Sequence, residues 1–153
     1  MKKVIATTIA LLAATPSLAG AQKTYQGTGA NYDLAGKKLG SYQITVAITE
    51  ADNGKIEEQV LITREDGSTH QRNCVSEKSF EVSSSMKCDD SEGGVTCLEG
   101  DMCQSYLVAE DGKAFASAIA FDKDGSGFRT LTTVLDASGQ ALGFGRDELT
   151  LIK

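Results

Sequence analysis

The sequence of 153 residues has one proline, one histidine and no tryptophan, and each shortage removes something. The proline, Pro16, stands near the start, so nothing after it prevents a strand from pairing on both edges. With His70 alone, and cysteines expected to be oxidised, the usual assembly of nucleophile, base and orienting group cannot be built. Paired carboxylates such as Glu57-Glu58 and Asp147-Glu148 do not replace it, because neighbours in a strand point to opposite faces. We therefore expect no enzyme and no catalytic residue. Basic residues are also few, 15 against 21 acidic, and none form a stripe. That excludes a nucleic-acid backbone as partner, since such contacts rest on clustered Lys and Arg. No segment carries a convincing helical stripe, although "NYDLAGKKLG" (Asn31 to Gly40) has room for one helical turn.

The N-terminus reads as an export signal. Lys2 and Lys3 precede the apolar run Val4 to Ala14, which is shorter than the roughly 20 residues a bilayer requires. Small residues follow, and "AGA" at Ala19 to Ala21 fits a cleavage site, so residues 1–21 are expected to be removed. Ala21 stands where a lipidated cysteine would be in a lipoprotein signal, so no lipid anchor is expected. The remaining 22–153 is long enough for a single domain. Its 13 basic and 21 acidic residues give a net charge of −8, spread along the chain. Localisation is expected to be periplasmic or secreted.

Export makes Cys74, Cys88, Cys97 and Cys103 candidates for two disulfides. Their intervening lengths of 13, 8 and 5 residues do not resemble the close pairs of a zinc site. Pairing in order of emergence gives Cys74–Cys88 and Cys97–Cys103; a Cys88–Cys97 bridge across a turn near Glu92 is the competing arrangement. No metal and no cofactor are expected. "DKDGSGFRTLTT", from Asp122, has an acidic start like a calcium loop. It ends in Thr133 where a glutamate should stand, and it reads as a hairpin turn.

Between these landmarks the pattern is one strand after another. In "SYQITVAITE", Tyr42, Ile44, Val46 and Ile48 alternate with polar residues, the period of a half-buried strand. Turn signals recur as "ADNG" (51–54), "EDG" (65–67 and 110–112), "EGG" (92–94), "KDG" (123–125) and "ASG" (137–139). We expect an all-β, antiparallel up-and-down meander of about 8–10 strands closed into a barrel, with a two-sheet sandwich as the alternative. "KAFASAIAFD" places Phe115, Ser117, Ile119 and Phe121 on one face and Ala114, Ala116, Ala118 and Ala120 on the other. Either the alanine face is covered by another segment, or it lines a cavity. Leu142 and Phe144 alternate with Ala141, Gly143 and Gly145 in the same manner.

"YQGTG" (Tyr25 to Gly29), followed by this meander, resembles the opening of calycin-like barrels: lipocalins, fatty-acid-binding proteins and the nitrobindin-like group. That last group opens W-x-G-x-G; here Tyr25 replaces the tryptophan and Gly27 and Gly29 match. Arg146 is placed like the arginine that closes such barrels against that aromatic. The resemblance implies one small apolar ligand, held as by a carrier or sensor; the small-residue faces make Ala116, Ala118 and Gly143 candidate binding residues, and the resemblance adds Arg146. It does not extend to haem, for which a histidine near the C-terminus would be needed. A second function follows from the acidic stretch Cys88 to Cys103. Asp89, Asp90 and Glu92 could hold a basic exported protein, as an inhibitor of an exported hydrolase would.

Overall fold

Alternating side chains and glycine turns generate ten strands in the computed structural model, which describes residues 22–50, 54–78, 83–98 and 101–152. The expected leader, residues 1–21, lies outside the described residues. The strands are β1 (Gln22–Tyr32), β2 (Lys38–Glu50), β3 (Ile56–Arg64), β4 (Thr69–Lys78) and β5 (Ser83–Cys88). They continue as β6 (Ser91–Cys97), β7 (Met102–Ala109), β8 (Ala114–Phe121), β9 (Gly127–Leu135) and β10 (Ala141–Leu151). Each pairs antiparallel with the next, and β10 returns to β1 from Tyr25↔Leu151 to Tyr32↔Phe144. The barrel is therefore closed, which removes the sandwich alternative and leaves no free sheet edge.

Five hairpin turns share one device. Asp33, Asp66, Asp111, Asp124 and Asp136 each turn their carboxylate onto a backbone N–H two residues ahead. A glycine with positive φ then completes the reversal, for example Gly139 at 84°. Two expectations fail here. "NYDLAGKKLG" makes no helical turn, because Asp33 accepts bonds from the N–H groups of Ala35 and Lys37 and folds a hairpin. "EGG" at 92–94 is not a turn but lies inside β6; the chain reverses earlier, at Asp89 and Asp90. Glycine there serves close packing instead. A side chain at Gly93 would collide with the Tyr106 carbonyl, and one at Gly27 with the Glu148 carbonyl. At these two places, on the β6–β7 and β1–β10 seams, the neighbouring backbone comes too close for any side chain, and only glycine fits.

Buried apolar residues identify the inner face. Tyr25, Ile44, Val46, Val60, Phe128 and Leu149 form one cluster, with Phe121 packed against it, and its aromatic rings plug one region of the barrel. The Tyr25 and Phe128 rings meet edge to face at 5.0 Å. A second cluster gathers Leu107 and Met86 around Cys74 and Cys88. Both disulfides join residues directly opposite across a ladder, Cys74–Cys88 between β4 and β5 and Cys97–Cys103 between β6 and β7. No cysteine is free, and the two bridges agree with an oxidising surrounding.

Gly27→Ala is expected to destabilise the protein by about 3 kcal/mol or more, since the methyl group meets backbone instead of a flexible side chain. Gly40→Ala, with nothing within 4 Å of the added carbon, serves as the control in urea unfolding. A second expectation concerns acid. Asp66, Asp111, Asp124 and Asp136 are held below the usual carboxylate range, first by side-chain bonds from Ser68, Lys113, Ser126 and Ser138 and then by backbone N–H groups. Carboxyls depressed in the folded state stabilise it fully above the unfolded value near 3.9 and lose that contribution as pH falls through the folded values. The urea midpoint should therefore hold between about pH 5 and 7 and decline below about pH 4.

Candidate functional site

The register of the strands arranges inward side chains in rows that cross the barrel wall. One row runs Ile119, Thr130, Asp147, Gly29, Tyr42 and Arg64 from β8 to β3. In it Tyr42 Oη donates to Asp147 Oδ1 at 2.6 Å, reaching across β1 above Gly29. Thr130 Oγ1 donates to Asp147 Oδ2 at 2.5 Å from the other side. Any side chain at Gly29 would occupy the space of the Tyr42 ring and the Asp147 carboxylate, so this glycine makes the contact possible. Burial, then the bond to Asp147 and its negative charge, push the Tyr42 phenol well above its ordinary range.

The next inward row is a belt of small residues: Ser105, Ser117, Thr132, Gly145, Asn31 and Gly40. Ser117 and Thr132 share a hydroxyl bond of 2.9 Å. Although they face inward, Ser105, Ser117 and Thr132 are only half-buried, so solvent reaches the barrel interior at this level. Ten strands enclose a wider tube than the eight that side chains just fill, and small residues cannot close it. The belt lies on the inner face away from the buried Tyr25 and Phe128 rings.

Two inward charged residues that do not pair sit on β3 and β4. Glu58 faces inward between Ile48 and Cys74, and Arg72 beside Val60. Burial raises the Glu58 carboxyl, and the Arg72 charge only partly opposes that. The two groups form no ion pair within 4.0 Å, and Arg72 Nε is enclosed without a hydrogen-bond partner.

The outward side of the wall carries a hollow of about 1080 Å³. Its lining comes in triplets, such as Ala118-Ile119-Ala120, Arg129-Thr130-Leu131 and Arg146-Asp147-Glu148. The inward residues of adjoining rows, Ser117, Thr132, Phe128 and Leu149, do not border it. Exposed residues such as Leu131, 48%, and Met102, 51%, open it outward as a trough, and the row Ile119, Thr130, Asp147, Gly29, Tyr42 and Arg64 also borders it.

The candidate binding residues named from sequence divide between these places. Ala118 and Arg146 are exposed and border the outer trough, in one outward row with Leu131. Ala116 does not border the trough, and Gly143 is buried on the inner side of β10. Ala116, Ala118 and Ala120 of β8 therefore do not face the interior, although Ala114 at the start of the strand is buried; Phe115, Ser117 and Ile119 face inward, sharing rows with inward partners. The residues missed were Tyr42, Asp147, Thr130 and the serine–threonine belt. A signal existed: Asp147 continues the inward Gly143, Gly145, Leu149 series, an acid in a face otherwise small or apolar.

The acidic stretch is engaged locally. Asp89 Oδ2 accepts from the backbone N–H and side-chain amide of Asn73 at 3.0 and 2.7 Å. Asp90 accepts from the Ser91 hydroxyl and stands 4.0 Å from His70 Nε2. Glu92 is exposed on β6, directly opposite Lys87. No group of three or more potential metal ligands occurs among the described residues.

No family model and no curated protein sequence matches the chain. Solved structures do resemble it. A DUF3598-family protein of unknown function from Nostoc punctiforme PCC 73102 superimposes with a TM-score of 0.62 at 11% identity, over 84% of this chain and 46% of that one. The chain thus spans less than half the length of that neighbour. The S-type phycobiliprotein lyase CPES from Guillardia theta gives a TM-score of 0.57 at 9% identity, over 85% and 86% of the two chains. At these identities the likeness is one of fold alone, a closed antiparallel barrel.

The polar row yields an alkaline test. A phenol whose folded value lies above its unfolded value near 10 stabilises the fold fully below that pH and progressively less above it. Unfolding should become easier above about pH 10. Tyr42→Phe should flatten that dependence while costing about 1.5–3 kcal/mol at neutral pH, through loss of a bond to a charged acceptor. Ultraviolet phenolate titration alongside urea unfolding checks both.

Proposed function

We propose that this chain is an exported, non-catalytic barrel that binds one small, largely apolar ligand in its interior cup, as a carrier or sensor. The observation that carries the reading is the partly exposed inward trio Ser105, Ser117 and Thr132 in a ten-stranded closed barrel. Such a barrel has room for a guest that its own side chains do not fill. The aromatic plug supplies a floor, and the Tyr42–Asp147–Thr130 network supplies polar atoms at the wall. Both hydroxyls of that network are committed to one carboxylate, which suits positioning better than attack on a substrate. Export is supported by the leader pattern and by the two disulfides.

The test is a fluorescence titration with neutral N-phenyl-1-naphthylamine. Saturable binding at one site per chain is expected. Ser117→Phe, which fills the belt, should weaken binding about tenfold or more, a change of about 1.4 kcal/mol. Ala118→Phe, one residue on and facing outward, should leave it unchanged, with circular dichroism confirming that both variants fold. A reversed pattern would move the site to the outer trough, and no binding at all would remove the reading.

A further inference from the structure

The outer trough has two banks, each an outward row of side chains set by the register. One carries Ala118, Leu131, Arg146 and Ala30, and the other Ala120, Arg129 and Glu148. The trough crosses the wall from β8 to β3 by way of β9, β10, β1 and β2. Six strands spaced about 4.8 Å apart make it about 24 Å long, the span of about seven extended residues. Its lining resembles the core of a protein interface: exposed Met102 and Leu131, two alanines, and Tyr32 stacked on Phe144 at 5.1 Å. Its charge also runs against that of the chain. Lys38, Arg64, Arg129 and Arg146 border it, against Glu65, Glu148 and an Asp147 already bonded by two hydroxyls. Residues 22–153 as a whole carry 13 basic and 21 acidic side chains. Arg129 has Glu148 directly opposite and reaches Asp122 at 3.4 Å. Arg146 lies between Leu131 and Ala30 and forms no ion pair within 4.0 Å among the described residues.

We propose that this trough is a docking groove for an extended, acidic segment of a partner protein. Arg146 receives a carboxylate, for which its guanidinium fork offers two parallel N–H bonds. Leu131 and Met102 beside it receive apolar side chains. The closed barrel has no free edge, so the segment cannot join as a further strand and is recognised through side chains. A channel of about 1080 Å³ between two banks fits a single chain and not a flat lipid surface. The groove is separate from the interior site, and neither requires the other.

The experiment measures the fluorescence anisotropy of an end-labelled heptapeptide alternating leucine and glutamate, beside its leucine–lysine counterpart. At low salt the acidic peptide is expected to bind about tenfold more tightly or better, a factor corresponding to about 1.4 kcal/mol. Added salt should weaken it, since the charges involved are exposed. Arg146→Glu should cost about tenfold or more, and Ala118→Phe, which fills the bank beside Leu131, should do so without a change of charge. Lys87→Glu alters net charge by the same amount from an exposed site on β5, outside the groove, and should leave binding unchanged. Equal binding of the two peptides would overturn the proposal, as would equal weakening by the two charge reversals. Competition between the peptide and N-phenyl-1-naphthylamine would also overturn it, because the trough would then be the small-ligand site. So would an unbound peptide together with self-association, or adsorption to phosphatidylglycerol vesicles, that Arg146→Glu abolishes; the groove would then belong to a second copy or to a lipid surface.

Discussion

The pairing of β1 with β10 is the contact on which the rest of this barrel depends. All other ladders join strands that follow each other in sequence, and the hairpin turns can form them locally. This one joins the two ends of the domain, and it forms over two glycines. Gly27 lets the β10 backbone approach closely, and Gly29 clears the space in which Tyr42 reaches Asp147. Closure and the polar row are thus products of the same short segment, "YQGTG". Its likeness to the opening of calycin-like barrels has this physical content: an aromatic for the plug, followed by two positions where no side chain fits.

The interior that closure creates is unusual in mixing two apolar clusters with committed and uncommitted polar groups. Asp147 is committed, with a hydroxyl donated to each of its oxygens. Glu58 and Arg72 are not, although they share the inner face. A packed core of this size would gain stability from apolar residues at these positions, since buried ionic groups rarely improve on well-packed hydrophobic ones. Their presence is easier to understand if the interior is built to receive something than if it is built only to be stable.

The strands themselves were largely legible in the sequence. Alternation in "SYQITVAITE" and the Asp-Gly turns place β2 and most hairpins, because both signals are local and steric. The disulfide order was legible only as one option, since hairpin register, which sets Cys74 opposite Cys88, is a property of the paired strands. "EGG" misled because glycine serves two purposes, reversal of the chain and close approach of backbones, and only the neighbouring strand distinguishes them. The β8 alanines misled for a related reason. Alternation reveals two faces but does not say which one looks inward when both lack charge. Belt residues such as Thr132 and Gly145 come from different strands and become neighbours only through the register.

The two disulfides have a joint consequence. One ties β4 to β5 and the other β6 to β7, so both covalent links lie on the side of the barrel opposite the β1–β10 seam. The molecule is built like a bivalve shell, with a stapled back and lips held together by hydrogen bonds and the aromatic plug alone. Any breathing that admits a guest through the wall, rather than through the mouth, has its hinge at the cysteines and its gap beside Gly27 and Gly29.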